Sequence, residues 1–250
     1  MDINKTNIII TGASSGFGKE MSIHFAALGA TIYALDIDVI SLEKLKKENK
    51  DRIHTFKCDV SSNDKVESVV DEIFEKENSI NVLINNAGIM KNAPLINILS
   101  RPESRHSIDL WDKVLQVNQN AVFYMTRSVA NKMIRSRNKG VIINISSIAA
   151  KGNAGQTAYS ATKAAVEAMS KVWSKELGVF NIRSVAIAPG FINTIGAHDA
   201  LEEKMLAKWV GKTPLKRTGE VNEIVLAAQF AIENDFFNGE VLNVNGGLSI

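Results

Sequence analysis

The stretch Asn7-Ile8-Ile9-Ile10-Thr11-Gly12-Ala13-Ser14-Ser15-Gly16-Phe17-Gly18 decides the fold. Its first half is a short apolar run rich in β-branched residues, the composition of a strand buried on both faces. Its second half places Gly12, Gly16 and Gly18 close together, and helical periodicity begins at once, from residue 19. Glycine permits a tight turn, lets backbone approach a pyrophosphate without a side chain intervening, and allows the following helix to pack closely with its N–H groups facing phosphate. The spacing departs from the usual G-x-G-x-x-G fingerprint. By itself the turn therefore also fits an ordinary strand-to-helix loop.

Outward from this turn, similar apolar runs recur at residues 31–35, 53–56, 82–84, 141–145, 183–188 and 241–244, which with 7–10 gives seven strands. Residues 19–28, 40–50, 63–76, 110–137, 157–177 and 220–232 carry helical periodicity between them. Strand and helix alternate throughout. The alternation predicts right-handed crossovers and a parallel sheet covered on both faces, a doubly wound α/β architecture. No linker, repeat or low-complexity tract interrupts it, so residues 1–250 read as one domain, with a cofactor half at about 1–150 and a catalytic and substrate half at about 140–250. Residues 92–109 contain Pro94 and Pro102 but no clear period, and such long connections are usually functional. Residues 190–214 follow a strand's carboxyl end, where open α/β sheets bind ligands; with a predicted short helix at 199–209 they form a candidate lid.

Composition narrows the function classes. Lys plus Arg is 29 against 27 for Asp plus Glu, with the basic residues scattered, so nucleic-acid binding is not expected. Cys58 stands alone, which excludes an internal disulfide and favours a buried structural thiol. His24, His54, His106 and His198 show no ligand spacing, and no metal is expected. Residues 1–6 lack the basic start and apolar stretch of a signal peptide, and no apolar run approaches the ~18 residues of a membrane span. A cytoplasmic protein without membrane attachment is the expectation.

Asp36 strengthens the nucleotide reading. It follows Gly18 by 18 residues and closes the predicted second strand, where a carboxylate accepts hydrogen bonds from an adenosine ribose. The same charge repels a 2′-phosphate, and Ser14, Ser15 and Ile37 offer no basic side chain to meet one. NAD(H) is therefore expected rather than NADP(H).

Further motifs occur in a fixed order: Cys58-Asp59-Val60, Asn85-Asn86-Ala87-Gly88, Asn118, Asn144-Ile145-Ser146-Ser147, Tyr159-Ser160-Ala161-Thr162-Lys163, Pro189-Gly190 with Thr194, and Val244-Asn245-Gly246-Gly247. With the glycine turn they make the chain resemble the short-chain dehydrogenase/reductase family along essentially its whole length, in particular the branch of 3-oxoacyl-thioester reductases. The resemblance implies that Gly12, Ser14, Ser15, Gly16, Phe17 and Gly18 hold the pyrophosphate and that Asp59 and Val60 contact the adenine. It further implies that Asn86, Ala87 and Gly88 line the cofactor cleft, and that Pro189, Gly190, Ile192 and Thr194 lie at the nicotinamide. Asn118, Ser147, Tyr159 and Lys163 match the family's catalytic set; Tyr159 and Lys163 are also implied to contact the cofactor, the lysine at the nicotinamide ribose, and a homotetramer assembled through the long helices is implied. Val122, Phe123, Met125, Val166, Met169 and Trp173 look like more apolar surface than one sheet face requires.

The chemistry follows from residue type as well. A tyrosine hydroxyl titrates near 10 in isolation, so a tyrosine acid or base at neutral pH needs a nearby positive charge. Tyr159 and Lys163 are four apart on a predicted helix and share one face. A strand-end serine is suited to polarising a carbonyl oxygen. The Asn-Ile-Ser-Ser pattern selects Ser147, whereas counting thirteen residues back from Tyr159 selects Ser146; Ser147 is preferred because loops absorb deletions more readily than strand ends. The small-molecule substrate is expected to meet Ser147, Asn153, Gln156, Tyr159 and Phe191, with His198, Met205 and Trp209 supplied by the lid. The stretch Gly152-Asn153-Ala154-Gly155-Gln156-Thr157 resembles the oxoacyl branch and favours a 3-hydroxyacyl or 3-oxoacyl thioester. A small alcohol, a polyol or a hydroxysteroid is the alternative. The resemblance carries a tension with Asp36, because biosynthetic oxoacyl reductases generally use NADPH. A rival of another class is a regulatory protein that senses NAD without turnover.

Overall fold

The computed structural model describes residues 1–49, 51–99, 102–193 and 209–250. Seven strands form one parallel sheet: β1 (Asn7–Thr11), β2 (Thr31–Asp36), β3 (Ile53–Lys57), β4 (Val82–Asn85), β5 (Gly140–Ile145), β6 (Ile182–Pro189) and, last in the chain, β9 (Val241–Val244). Their spatial order is β3-β2-β1-β4-β5-β6-β9. The order reverses between β1 and β4, which opens a crevice above their carboxyl ends. Two further strands, β7 (Ile192–Asn193) and β8 (Gly219–Glu220), pair with each other in parallel beyond the main sheet. At two residues each they are too short to carry a sequence period.

Alternating side chains of these strands feed two cores. Ile8, Ile10, Ile32, Ala34, Val141 and Ile143 face one side, against Met21 and Phe25 of helix α1 (Gly16–Ala27) and Leu42 and Leu45 of α2 (Val39–Glu48). Ile9, Tyr33, Leu35 and Ile142 face the other, against Val66, Val70 and Ile73 of α3 (Asn63–Glu77). Runs such as Ile8-Ile9-Ile10, Ile32-Tyr33-Ala34-Leu35 and Val141-Ile142-Ile143, apolar on both faces, are what a sheet covered on both sides requires.

The predicted helix at 110–137 is three pieces in line: α4 (Ile108–Leu115), a π-helical turn at Gln116–Asn120, and α5 (Ala121–Arg135). Such turns insert an extra residue and frequently mark functional sites. Here the turn carries Asn118, which is fully buried. Helix α6 (Thr157–Glu176) packs on β5 and β6, and α7 (Val221–Glu233) begins with a reciprocal capping box between Glu220 and Glu223. At its other end, buried Arg183 donates to the carbonyls of Ala231 (2.7 Å), Ile232 (2.9 Å) and Phe237 (2.9 Å), a cation placed at the negative end of a helix.

Buried polar groups need partners. In the register pair Asn85 and Asn144, Asn85 Nδ2 donates to Thr126 Oγ1 (3.0 Å) and Asn144 Oδ1 (2.8 Å), while Asn144 Nδ2 donates to Ser170 Oγ (2.8 Å). This chain ties α5 and α6 to the strands that end beneath the crevice.

Residues 92–109 contain an antiparallel pairing of Ile96 with Arg105, closed by Asn97 N–H to Ser104 O and His106 N–H to Leu95 O. The root of this arm pairs Ala93 with Gln156. Of the apolar surface expected on the long helices, Val122, Met125 and Val166 are absorbed into the interior, Met169 and Trp173 are half-buried, and Phe123 stays about half exposed, as does the neighbouring Val172. The predicted lid helix at 199–209 falls almost wholly outside the described residues, as do Thr194, His198 and Met205. Among the described residues no helix is long and apolar enough to cross a membrane.

Candidate active site

The glycine turn opens the site. Gly12 and Gly16 adopt left-handed backbone angles (φ +63° and +51°), which side chains disfavour. A Cβ on Gly12 would meet Ala87 Cα at 2.8 Å, and one on Gly18 would meet the Gly12 carbonyl oxygen at 2.2 Å. Gly12 and Gly18 therefore let β1, α1 and the end of β4 close on one another. Asn86 reinforces that contact, donating from Nδ2 to the carbonyls of Thr11 (2.9 Å) and Gly12 (3.0 Å). A Cβ on Gly16 would meet nothing, so that backbone faces open space. Helix α1 starts there with no side-chain cap on its N-cap residue Ser15 and no acidic residue in its first turn. Its leading N–H groups are left for a ligand, and an anion fits.

Asp36 sits at the carboxyl end of β2. Oδ2 accepts from Ser14 N–H (3.1 Å), and Oδ1 from Ile37 N–H (2.7 Å) and Asp38 N–H (3.1 Å). The carboxylate thus clamps the glycine turn to the end of β2 while still bordering the cleft. Lys19, one turn into α1, also borders it. Asp59 accepts from the N–H (3.1 Å) and hydroxyl (2.6 Å) of Ser61, which hold its carboxyl below its ordinary range. Beside it, burial pushes the Cys58 thiol up to about 11, as befits a structural thiol.

The reacting end lies over β5. Lys163 is 5% exposed, and its Nζ donates to the Ile145 carbonyl at 2.7 Å and stands 5.7 Å from the centre of the Tyr159 ring. Burial pulls its ammonium down to about 8. Burial also raises Tyr159 above its ordinary value, and a hydrogen bond with Ser147 opposes that rise. The geometry brings Ser147 to Tyr159. Ser146 Oγ points elsewhere, to Glu167 Oε1 (3.0 Å) and the Lys163 carbonyl (3.2 Å). Asn118 grips the backbone of Ile89 from both sides, donating to its carbonyl and accepting from its N–H, each at 2.8 Å. Gly88 lies between them: a Cβ there would be 3.3 Å from Asn118 Oδ1 and 3.6 Å from Lys163 Nζ.

One cleft of about 1580 Å³ joins these parts. The glycine turn, Asp36, Asp59, Val60 and the 86–88 stretch line it, as do Ser147, Tyr159, Lys163, Pro189, Gly190 and Ile192. Asn153, Gln156 and Phe191 border it too, Phe191 stacked on Trp209 with ring centres 4.8 Å apart. Gln156 is engaged, however. It accepts from Asn153 Nδ2 (3.0 Å) and donates to Asn92 Oδ1 (2.8 Å), so it braces the cleft rim. Sequence reasoning missed Ile89, Ile145 and Glu167. The first two act through backbone atoms, which leave no sequence signal; Glu167 was visible as the residue four beyond Lys163.

The model of the short chain dehydrogenase family matches residues 6–205. The chain belongs to that family. The 3-oxoacyl-[acyl-carrier-protein] reductase FabG of Thermotoga maritima is 38% identical over 248 residues, covering 97% of each chain. The sorbitol-6-phosphate 2-dehydrogenase of Klebsiella pneumoniae is 31% identical, covering 99% of this chain and 97% of its own. Among solved structures, a 7α-hydroxysteroid dehydrogenase in complex with NADH and 7-oxoglycochenodeoxycholic acid superposes with a TM-score of 0.91 at 28% identity, over 99% of this chain and 95% of that one. As a short-chain dehydrogenase the protein is an oxidoreductase acting at a CH–OH carbon with a nicotinamide cofactor. The uncapped start of α1 and the open space in front of Gly16 suit the diphosphate of such a cofactor.

Proposed function

We propose that this short-chain dehydrogenase is an NAD(H)-dependent enzyme interconverting a secondary alcohol and a ketone, with a 3-hydroxyacyl or 3-oxoacyl thioester as its substrate. The observation that carries the reading is the meeting of Tyr159, Ser147 and Lys163 at one end of a cleft that also holds Asp36. The nicotinamide, when bound, supplies or accepts the hydride. In reduction Tyr159 Oη gives its proton to the substrate oxygen, and Ser147 Oγ donates a hydrogen bond to that oxygen as charge develops on it. The Lys163 ammonium stabilises the phenolate left behind. Oxidation reverses each step, with the Tyr159 phenolate taking the proton. Asn118, held in the π-helical turn, grips the backbone of Ile89 and so keeps that wall beside Lys163 in place.

The thioester is favoured by the stretch 152–157 and by the 38% identity to a 3-oxoacyl reductase. A polyol or a hydroxysteroid is the second reading, favoured by the similarity to enzymes of those names and by Asp36. The 2′-hydroxyl of NADH has a carboxylate to meet, whereas a 2′-phosphate would be set against a like charge. NADH is expected to bind at least about tenfold more tightly than NADPH, equivalent to about 1.4 kcal/mol. Asp36→Ala should narrow the gap, since it removes the repulsion and leaves Lys19 at the cleft edge. Fluorescence titration of both nucleotides checks this, and tighter NADPH binding by the unmodified protein would refute it.

A homotetramer is the expected assembly, with Phe123 of α5 and Val172 of α6 as apolar surface left to cover. Light scattering at micromolar concentration should give four chain masses; a single chain mass counts against it.

A further inference from the structure

We propose that Glu167 is a positioning residue for the reaction, acting through Ser146 to set Ser147 against Tyr159; the inference rests on the reading of Tyr159, Ser147 and Lys163 as the reacting groups. Tyr159, Lys163 and Glu167 follow one another at intervals of four along α6 and so share one stripe of the helix. The Glu167 side chain is only 13% exposed. A carboxylate so far removed from water is costly unless it is well partnered. Its partners lie on another element. Oε1 accepts from Ser146 Oγ at 3.0 Å, and Oε2 accepts from Lys151 Nζ at 3.2 Å.

Those two partners bracket Ser147. Ser146 follows the last residue of β5, and its N–H donates to the Ile187 carbonyl of β6 at 2.7 Å. Lys151 ends the short 3-10 turn Ile148–Lys151, whose first backbone groups are capped by Ser147: Ser147 Oγ accepts from Ala149 N–H at 3.1 Å. The segment carrying Ser147 is therefore held to the helix carrying Tyr159 and Lys163 at a residue before and a residue after it, by one carboxylate. The Ser146 bond also reaches the Lys163 carbonyl at 3.2 Å, so the same hydroxyl spans both catalytic elements. Of the two links, Ser146 carries the positioning. That bond is part-buried and charge-assisted, whereas the Lys151 side chain is 61% exposed and its ion pair is weakened by solvent. Displacements of about 1 Å at a reacting group are enough to cost about a hundredfold in rate.

Four variants test this in the full-length protein, with turnover, NADH affinity by fluorescence titration and thermal unfolding measured for each. Glu167→Leu is expected to lower kcat by about tenfold to a hundredfold while NADH affinity stays within about twofold. Glu167→Gln keeps a carbonyl acceptor for Ser146 and should stay within about threefold of the original kcat. Ser146→Ala should lower kcat like Glu167→Leu, and combining the two should add little. Lys151→Met should leave kcat nearly unchanged. A general structural role would instead move unfolding temperature and nucleotide affinity, and the amide variant would not rescue kcat selectively. A folded Glu167→Leu protein with normal kcat overturns the proposal, as does Glu167→Gln behaving like Glu167→Leu. If Glu167→Leu does not fold, normal kcat in Ser146→Ala overturns it. Failure of the underlying reading looks different, because Tyr159→Phe would then also keep its activity.

Discussion

Tyr159→Phe is expected to lower turnover by at least about two orders of magnitude, the usual scale for removing a general acid, while NADH affinity changes by no more than about twofold. The substitution preserves the ring and its packing in α6 and deletes one oxygen. A hydrogen bond with Ser147 reaches that oxygen, and the ring that carries it has its centre 5.7 Å from the buried Lys163 ammonium. The glycine turn and Asp36 lie at the opposite half of the chain, among residues 12–36, and are untouched. Binding and chemistry should therefore separate cleanly. Initial rates and fluorescence titration on the purified variant check it. A folded Tyr159→Phe protein retaining most of its rate would remove Tyr159 from the mechanism, whatever the substrate.

Lys163→Met is expected to act on the pH dependence as well as the rate. The charge of Lys163 is present below about 8 and lost as pH rises through that value. While present, it favours the Tyr159 phenolate. At the 5.7 Å that separates Lys163 Nζ from the centre of the Tyr159 ring, a unit charge is worth roughly 3 kcal/mol at an effective dielectric of about 20, or about two pH units. Burial already holds Tyr159 above its ordinary value, with the Ser147 hydrogen bond opposing that rise. Oxidation needs the phenolate, so its pH profile should move upward by about one to two units in the variant. Reduction uses the protonated tyrosine and should lose rate without that upward requirement. Paired pH profiles in the two directions measure this, and an unshifted oxidation profile would show that Lys163 does not control Tyr159.

Much of this was legible in the chain itself, for physical reasons that differ by element. The inner strands β1, β2, β4 and β5 were readable because burial on both faces demands apolar runs such as Ile8-Ile9-Ile10. The glycine turn was readable because Gly12 and Gly18 stand where a Cβ would collide. The π-helical turn was not, since apolar spacing runs through Gln116–Asn120 without a break and one inserted residue leaves no period of its own. The arm at 92–109 escaped for the opposite reason: a single pairing of Ile96 with Arg105 is too short to register. Ser146 and Ser147 could not be separated by counting, because a one-residue shift at a strand end reverses the direction of the side chain. In the structure Ser147, in extended backbone at φ −167°, caps the next turn and meets Tyr159, whereas Ser146 turns toward Glu167. Gln156, expected near the substrate from its nearness to Tyr159, does line the cleft; its further place in the Asn153–Gln156–Asn92 chain depends on the arm, which the sequence did not reveal.

The most direct measurement is the nicotinamide absorbance of the unmodified protein, mixed with NADH or NAD⁺ and offered acyl thioesters, polyols and hydroxysteroids in both oxidation states. The absorbance is expected to change at a rate proportional to protein concentration with at least one of these pairs, fastest with a 3-oxoacyl or 3-hydroxyacyl thioester, and to lose that rate in Tyr159→Phe. A protein that binds NADH, yet leaves its absorbance unchanged with every pair, would be a sensor of the nucleotide and would contradict an oxidoreductase built on Tyr159.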